Sequence, residues 1–463
     1  MKKLCAVIFR WVALSMRKIL GGYSEELLRG VASVAGLRIF GVLIGYAFTL
    51  MVARMFGATA LGQYQLTLQV IGTCGLISAL GFNQLTLKYA ARLKTSEEGW
   101  RSLRKLCKQW AGIASLAAVA ISIALAFFSG DVASHFFGGT ESKKYILLAS
   151  ILIPFQVLTN LACELFRGVG LISLSEYLRS IHVRAVNFLI IGLLVIVGEK
   201  NVDFLIGSFV IASLSAFVLV AVVVFNKFKM NHNDDDQENP SQNTKTLTLK
   251  QSLDQSLPMY QSVLLIFAST QALVYILAYF ENPAEVAKYN VSLQLANLAN
   301  FIFASVVTVS APMYSRDFSE NRDKLEASIK ESSRMIFWAS GSASLAIGLM
   351  SYPLLLVFGK EFAKAWPILV ILAGANFVNA FTGASGNLLD MTGGHKVRKN
   401  ILIGNAILTI LVSFFAIREF GALGVAIGYF FNMCFGNFIG VYVVYRKLGI
   451  NMMYFPWGGK AAA

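Results

Sequence analysis

Charged residues are scarce in this sequence. They make up 14% of the 463 residues, against about 25% in an ordinary soluble domain, whereas 56% of the residues are hydrophobic. A water-soluble fold of this composition would expose far more apolar surface than soluble proteins carry. The shortage of charge therefore excludes a soluble enzyme and predicts a membrane protein with many spans.

Cysteines and catalytic motifs are also few. The five cysteines are scattered and form no C-x-x-C pair, which argues against a disulfide framework or a metal site. The sequence has no G-x-x-x-x-G-K-[ST] loop, no H-E-x-x-H motif and no G-x-S-x-G motif, the patterns of nucleotide binding, zinc catalysis and serine nucleophiles. We therefore expect no catalytic residue, no metal site, no cofactor and no ATP hydrolysis by this chain.

Long apolar runs make up much of the sequence. A spanning helix needs about 20 mostly apolar residues, and the sequence contains twelve candidate segments. They cover residues 31–55, 63–86, 109–129, 145–166, 177–198, 203–226, 257–280, 286–314, 335–358, 365–389, 400–417 and 420–445. The predicted fold class is an all-α polytopic membrane protein.

Basic residues are distributed unevenly among the segments between these spans. Segments on the side of the N-terminus carry 30 Lys and Arg, and segments on the opposite side carry 7. Because cytoplasmic loops are enriched in Lys and Arg, this asymmetry predicts that both termini are cytoplasmic. The formal net charge of +15 then reflects topology, and no nucleic-acid partner is expected.

One hydrophilic stretch divides the chain into halves. Residues 227–256 are rich in Asp, Asn, Gln and Ser, a composition that cannot bury enough apolar surface to fold and indicates a flexible linker. The predicted organisation is a cytoplasmic or interfacial N-terminal segment (1–30), a six-helix bundle (31–226), the cytoplasmic linker (227–256), a second six-helix bundle (257–445) and a cytoplasmic tail (446–463). Residues 4–20 are either an amphipathic surface helix or a flexible tail.

The two halves contain similar sequences. ARMFGATALGQYQLTLQV, starting at Ala53, aligns without a gap with AYFENPAEVAKYNVSLQL, starting at Ala278, and four of the eighteen positions are identical. Six spans per half is an even number, so both copies have the same orientation and would be related by a pseudo-two-fold axis along the membrane normal. Two parallel bundles with a cavity between them are an arrangement typical of membrane transporters.

The first repeat and the residues after it also resemble a known family. VARMFGATALGQYQLTLQVIGTCGLISALGFNQLTLKYAARL is similar to the first-repeat signature of bacterial O-antigen and exopolysaccharide flippases, and AEVAKYNVSLQLANLANFIFASVVTVSAPMYSR and FGALGVAIGYF resemble later segments of that family. The family shares a superfamily with multidrug and toxin extrusion transporters and with lipid-linked peptidoglycan precursor flippases. The resemblance implies a two-bundle, twelve-helix fold in the bacterial inner membrane. The seventh helix, TQALVYILAYF, lacks the acidic residue that such sequences often carry there.

Charged residues inside predicted spans are candidate site residues. A charge at the bilayer centre costs at least about 2.5–3.5 kcal/mol, so it persists mainly when paired or facing water. Arg38 and Arg184 are predicted at similar depth, where arginine forks could hold a pyrophosphate, with Glu164 as a coupling residue or ion-pair partner. The alternatives are snorkelling of both arginines and a simple Glu164–Arg167 pair. Arg54 ends the first span, as a further pyrophosphate candidate or an interfacial anchor.

Polar uncharged residues mark the tenth predicted span. Asn376, Asn379 and Ser385 recur at spacings of three and six, roughly one face of a helix. Such a stripe could bind sugar hydroxyl groups. The alternative is hydrogen bonding between neighbouring helices.

These observations lead to three functional hypotheses. The first is a flippase that moves an undecaprenyl-pyrophosphate-linked oligosaccharide from the cytoplasmic to the periplasmic leaflet, the substrate class being implied by the resemblance. Its further partners would be membrane lipids, a polysaccharide polymerase and a chain-length regulator. The second is a cation-coupled multidrug exporter, which the excess of intramembrane arginine over carboxylate disfavours. The third, a membrane polymerase or ligase, is disfavoured because no outer loop is long enough to hold an acceptor.

Overall fold

A computed structural model of the chain describes residues 25–94, 97–198, 201–229 and 248–454. The predicted surface segment 4–20 and most of the predicted linker lie outside these ranges. Across the described ranges every regular element is helical. The all-α prediction is therefore confirmed.

Seventeen helices follow one another along the described chain. They are α1 (Glu25–Ser78), α2 (Phe82–Leu93), α3 (Glu97–Phe127), α4 (Ser129–Phe136), α5 (Lys143–Val169), α6 (Ile172–Val197), α7 (Val202–Lys229), α8 (Leu249–Phe280), α9 (Pro283–Glu320), α10 (Arg322–Ile336), α11 (Ser342–Leu349), α12 (Ser351–Leu356), α13 (Lys360–Ala363), α14 (Trp366–Thr382), α15 (Ser385–Met391), α16 (His395–Phe420) and α17 (Ala422–Leu448). Two π-helical stretches interrupt the α-helical pattern, Tyr177–His182 inside α6 and Phe337–Gly341 between α10 and α11.

Among the described residues, nine helices are long and apolar enough to cross a membrane, or ten when the bent pair α14 and α15 counts as one span. The difference from the twelve predicted segments has two structural reasons. Predicted spans 31–55 and 63–86 lie on either side of the kink at Gly57, and the two helical stretches that it separates are counted together as α1. Predicted span 335–358 is divided among a π-helical stretch and the short helices α11 and α12. All twelve predicted segments are nonetheless mainly helical.

Helix breaks occur where the sequence permits unusual backbone angles. Gly57 interrupts α1 with φ 83° and ψ 177°, a conformation that only glycine adopts without strain. Gly383, with φ 70°, separates α14 from α15, whose axes differ by 44°. These breaks let long apolar segments change direction inside a membrane-spanning chain.

The chain forms two compact units whose limits differ from the division at the linker. Unit 1 contains Met1–Met51, Thr67–Ser129 and Lys143–Tyr260, and unit 2 contains Val52–Leu66, Gly130–Ser142 and Gln261–Ala463. Unit 2 therefore includes two segments of the first sequence half, one of which carries the first copy of the repeat up to Leu66.

Unit 1 has a core that fixes the position of α5. Trp110 of α3 is fully buried and stacks on Phe82 of α2, with ring centroids 6.2 Å apart. Cys163 and Phe166 of α5 pack with Leu178 in the π-helical stretch of α6, and the Ser175 hydroxyl donates a buried hydrogen bond to the Cys163 carbonyl oxygen at 2.8 Å. The end of α5 and the start of α6 are thus held together.

Unit 2 has its own core. Tyr314 of α9, Ile329 and Ile336 of α10, Leu388 of α15 and Val444 of α17 are each fully buried there. The apolar face of α10 covers the end of α9, so this part of unit 2 is joined by burial of apolar surface.

Candidate functional site

Arg38 of α1 and Glu176 of α6 form a bidentate ion pair in unit 1. Nε of Arg38 donates to Oε2 of Glu176 at 3.0 Å, and Nη2 donates to Oε1 at 2.7 Å. The Glu176 side chain is 4% exposed, whereas the Arg38 side chain is 52% exposed. Paired N–H···O bonds of this kind are among the strongest and most specific that arginine makes.

The backbone of α6 changes where this pair forms. Glu176 ends the first α-helical stretch of α6, and the next six residues, Tyr177–His182, are π-helical. Single π-helical turns inside α-helices are rare and frequently occur at functional sites. The wider turn carries Arg179, whose side chain extends to α5.

A second carboxylate, Glu164 near the end of α5, is held by two other arginines. Nη2 of Arg179 donates to Oε1 of Glu164 at 2.6 Å, and Nη1 of Arg167 lies 3.5 Å from Oε2. The Glu164 side chain is 7% exposed. Glu164 was predicted to pair with Arg38 or Arg184, or else with Arg167; it pairs with Arg167 and Arg179.

Arg184 lies one to two turns further along α6. Its Nη1 donates to the carbonyl oxygens of Ser180 at 3.1 Å and Gly41 at 3.3 Å. The side chain runs beside Gly45, where a Cβ atom would lie 3.5 Å from Cδ of Arg184. Arg38 and Arg184 are thus both anchored at the contact between α1 and α6. We call Arg38, Arg167, Arg179, Arg184, Glu164 and Glu176 the arginine cluster.

Arg54 belongs to unit 2 and makes different contacts. Its Nε donates to the carbonyl oxygen of Val357 at 2.7 Å, and its Nη2 donates to that of Leu356 at 3.2 Å. Carbonyl groups at a helix C-terminus carry partial negative charge and lack helical partners. These contacts at the end of α12 favour the anchor interpretation of Arg54.

The polar residues of α14 and α15 lie in an amide network within unit 2. Nδ2 of Asn376 donates to the Ala296 carbonyl oxygen at 2.8 Å, and Oδ1 of Asn376 accepts from Asn300 at 3.0 Å. Asn379 donates to Oδ1 of Asn300 at 3.2 Å and accepts from Asn437 at 3.1 Å. Asn376 is 1% exposed, so its amide serves helix contacts, while Asn379 is half-buried.

Ser385 is likewise closed off from a ligand. It is 1% exposed, and a Cβ atom on Gly440 would lie 2.6 Å from its Oγ. The side chain therefore packs directly against α17.

Sequence reasoning missed Glu176 and Arg179. Glu176 precedes the fifth predicted span (177–198) and Arg179 lies in its first turn, and the structure includes both in the apolar helix α6. The available signal was the spacing E-x-x-R at Glu176, which places an acid and a base on one helical face. That spacing alone does not identify Arg38 as a partner, because Arg38 is 138 residues away.

Two further features of the described residues bear on the chemistry. The described residues contain no group of three or more His, Cys, Asp or Glu that could hold a metal ion. A cavity of about 680 Å³ in unit 2 lies among α11, α12 and α14 and has no charged residue in its lining. In unit 1, by contrast, the arginine cluster offers positive charge to an anionic ligand.

Several solved transporter structures share this fold. An inward-facing multidrug resistance MATE family transporter of the MOP superfamily superposes with a TM-score of 0.71 at 15% identity, over 90% of this chain and 98% of that chain. Lipid II flippase MurJ in an inward closed conformation gives 0.68 at 14% identity, over 89% and 87%. A MOP superfamily transporter from Pyrococcus furiosus gives 0.56 at 13% identity, over 91% and 95%. These matches confirm the predicted polytopic transporter fold.

Sequence comparison assigns the family. No curated protein matches the sequence, but a family model described as polysaccharide biosynthesis protein matches residues 27–318, which is more than half of the chain. The match includes the arginine cluster and both copies of the repeat, and it confirms the resemblance that those motifs indicated. The chain therefore belongs to the polysaccharide biosynthesis protein family.

Proposed function

We propose that this protein is a flippase that translocates an undecaprenyl-pyrophosphate-linked oligosaccharide from the cytoplasmic to the periplasmic leaflet by alternating access. The observation that carries the proposal is the half-exposed guanidinium of Arg38, held at the α1–α6 contact with its two donors directed at one carboxylate. The same two donors match two oxygens of a phosphate group. The family membership supports a substrate from polysaccharide biosynthesis.

The balance of charge in the cluster supports an anionic cargo. The cluster contains four arginines and two carboxylates: Arg38, Arg167 and Arg179 pair with Glu164 and Glu176, whereas Arg184 donates to backbone carbonyl oxygens. Uncompensated positive charge in a spanning segment is costly unless water or a counter-ion reaches it. A pyrophosphate headgroup would supply that counter-ion, while the prenyl tail stays in the bilayer.

A cation-coupled multidrug exporter is the second candidate, and one observation favours it. The cluster contains two buried carboxylates, which could bind a cation or a cationic drug. However, each of them already accepts from an arginine at 2.6–2.7 Å. A cationic cargo would have to displace those arginines, so we rank this function second.

The distribution of basic residues supports an orientation with both termini in the cytoplasm, with 30 Lys and Arg on one side and 7 on the other. In this orientation the cluster lies toward the cytoplasmic leaflet of the inner membrane, where lipid-linked repeat units are made. A polymerase and a chain-length regulator would then act on the translocated product.

Substitution of the two anchored arginines tests the proposal. In cells that depend on this gene for surface glycan, we expect Arg38→Ala and Arg184→Ala to reduce glycan display severely at normal protein level. The Lys variants keep the charge and lose the fork, so they should retain part of the function. The matched control is Arg92→Ala, which removes a charge from an exposed position at the end of α2.

Normal glycan display by both Ala variants would remove the cluster from the transport site. Export of cationic drugs by the wild-type protein, with surface glycan unaffected by deletion of the gene, would instead support the second candidate.

A further inference from the structure

The phosphate-binding fork proposed for Arg38 is already occupied by a side chain of the protein. Glu176 presents both carboxylate oxygens to Nε and Nη2 of Arg38 at 3.0 and 2.7 Å. Two oxygens in one plane are also what a phosphate group would present to these donors. A ligand can therefore bind the fork only by displacing Glu176.

An incoming anion meets Arg38 first, because the pair is exposed on the arginine side only. The Arg38 side chain is 52% exposed and the Glu176 side chain 4% exposed. An anion that approaches the pair reaches the arginine, while the carboxylate stays buried. A buried carboxylate that loses its partner is strongly destabilising, so Glu176 needs another cation once Arg38 is taken.

The cluster provides that cation. Arg179 lies three residues further along α6, the spacing at which side chains of one helix are neighbours, and Arg167 of α5 contacts the same carboxylate, Glu164, as Arg179. Arg179 donates to one oxygen of Glu164, and the second oxygen of Glu164 lies 3.5 Å from Arg167. Arg179 can therefore pair with Glu176 while Arg167 remains within ion-pair distance of Glu164.

The exchange favours some anions over others. A phospholipid phosphodiester offers two oxygens and a single negative charge, which is what the carboxylate already supplies. A pyrophosphate diester carries two negative charges, and its attraction to the cluster is correspondingly larger. Because membrane lipids vastly outnumber any lipid-linked glycan, an unoccupied fork would be filled by ordinary anionic lipid.

We propose that Glu176 is a selectivity residue, which occupies the Arg38 fork and excludes singly charged phospholipid headgroups from it while admitting a pyrophosphate headgroup. This inference rests on the proposed function, since it assigns the fork to a pyrophosphate. Specificity here comes from a built-in competitor as much as from attraction to the correct ligand.

The experiment uses the full-length protein in nanodiscs of phosphatidylcholine, with and without added phosphatidylglycerol. Two quantities are measured: binding of farnesyl pyrophosphate by fluorescence titration, and retention of phosphatidylglycerol by native mass spectrometry. For the wild type we expect added phosphatidylglycerol to compete only weakly with farnesyl pyrophosphate. For Glu176→Gln we expect phosphatidylglycerol affinity to rise by about tenfold, the value of one charge-assisted hydrogen bond.

A double variant shows whether the gain occurs at the fork. Arg38→Ala in combination with Glu176→Gln should lose the added affinity for phosphatidylglycerol, and persistence of the gain would overturn the proposal. Glu176→Asp keeps the charge but withdraws the carboxylate by one methylene group. It should give an intermediate affinity, and it replaces the Gln variant if that variant does not fold.

A merely structural role predicts a different pattern. Glu176→Gln would then lower the melting temperature and weaken farnesyl pyrophosphate binding, with no gain of phosphatidylglycerol. That result would overturn the proposal. Failure of the wild type to bind farnesyl pyrophosphate would count against the proposed flippase function, whereas the gain of phosphatidylglycerol in the Gln variant would still be measurable and would support exclusion by Glu176.

Discussion

A Cβ atom on Gly62 would lie 1.7 Å from the carbonyl oxygen of Pro283, so the backbones of these two residues are in direct contact within unit 2. Gly62 belongs to the first copy of the internal repeat and Pro283 to the second. The ring of Pro283 also lies close to Gly138, where a Cβ atom would be 3.3 Å from Cδ of the proline. Pro283 thus packs against two glycines.

The Gly62 contact predicts a strong effect of a single methyl group. Gly62→Ala must displace backbone rather than a flexible side chain, so we expect it to destabilise unit 2 by about 1–3 kcal/mol. The melting temperature of the purified protein measures this effect. Gly72→Ala on the same helix is the control, because no atom lies within 4 Å of the added Cβ position and alanine favours helix over glycine. Equal melting temperatures for the two variants would contradict the contact.

Removing the Arg54 side chain should affect stability more than ligand binding. Its donors are directed at the carbonyl oxygens of Leu356 and Val357, so Arg54→Ala should lose about 1 kcal/mol and leave farnesyl pyrophosphate affinity unchanged. Thermal unfolding and the nanodisc titration measure the two quantities on one preparation. A loss of farnesyl pyrophosphate affinity at unchanged melting temperature would indicate that Arg54 binds the headgroup.

Asn376 and Asn379 form a matched pair for the sugar-contact hypothesis. Asn376→Leu removes one buried and one partly buried hydrogen bond, each worth about 0.6 kcal/mol between membrane helices. It should lower surface glycan only in proportion to protein level. Asn379 is half-buried, so any sugar contact on this face would come from it. Asn379→Ala should then reduce glycan display at normal protein level, and an unchanged display would exclude the contact.

Glu281, which follows the end of α8, should make stability depend on pH. Burial raises the pKa of its carboxyl group above the usual 4.5, the nearby Glu285 raises it further, and Lys288 lowers it. Because the folded state binds this proton more tightly than the unfolded state, Glu281 destabilises the fold at neutral pH, and the penalty disappears as pH falls through the raised pKa toward 4.5.

Glu281→Gln removes that penalty. The variant should melt at a higher temperature than the wild type at pH 7 and at the same temperature at a pH below the usual glutamate value. Melting curves of both proteins across this range test the sign. A stabilising effect that is independent of pH would show that the carboxyl charge is not its cause.

Local pattern was sufficient for much of the fold. Apolar runs of spanning length identified the helical segments, because a lipid-exposed backbone must satisfy its hydrogen bonds within one helix. The repeat at Ala53 and Ala278 and the family motifs pointed to the transporter class, which the fold comparison and the family match confirm. The number of separate helices was harder to predict, because the predicted span 335–358 is divided among a π-helical stretch and the short helices α11 and α12.

Composition and pattern alone thus determined that this chain is an all-helical membrane protein with arginine inside its spans. Only the tertiary structure decided which carboxylate each arginine meets. Glu164, the acid that the sequence placed inside a span, pairs with Arg167 and Arg179, while Arg38 pairs with Glu176 from 138 residues away. Spacing along a helix predicts neighbours three or four residues apart. It carries no information on which helices pack together, and that packing brings the fork and its competitor into contact.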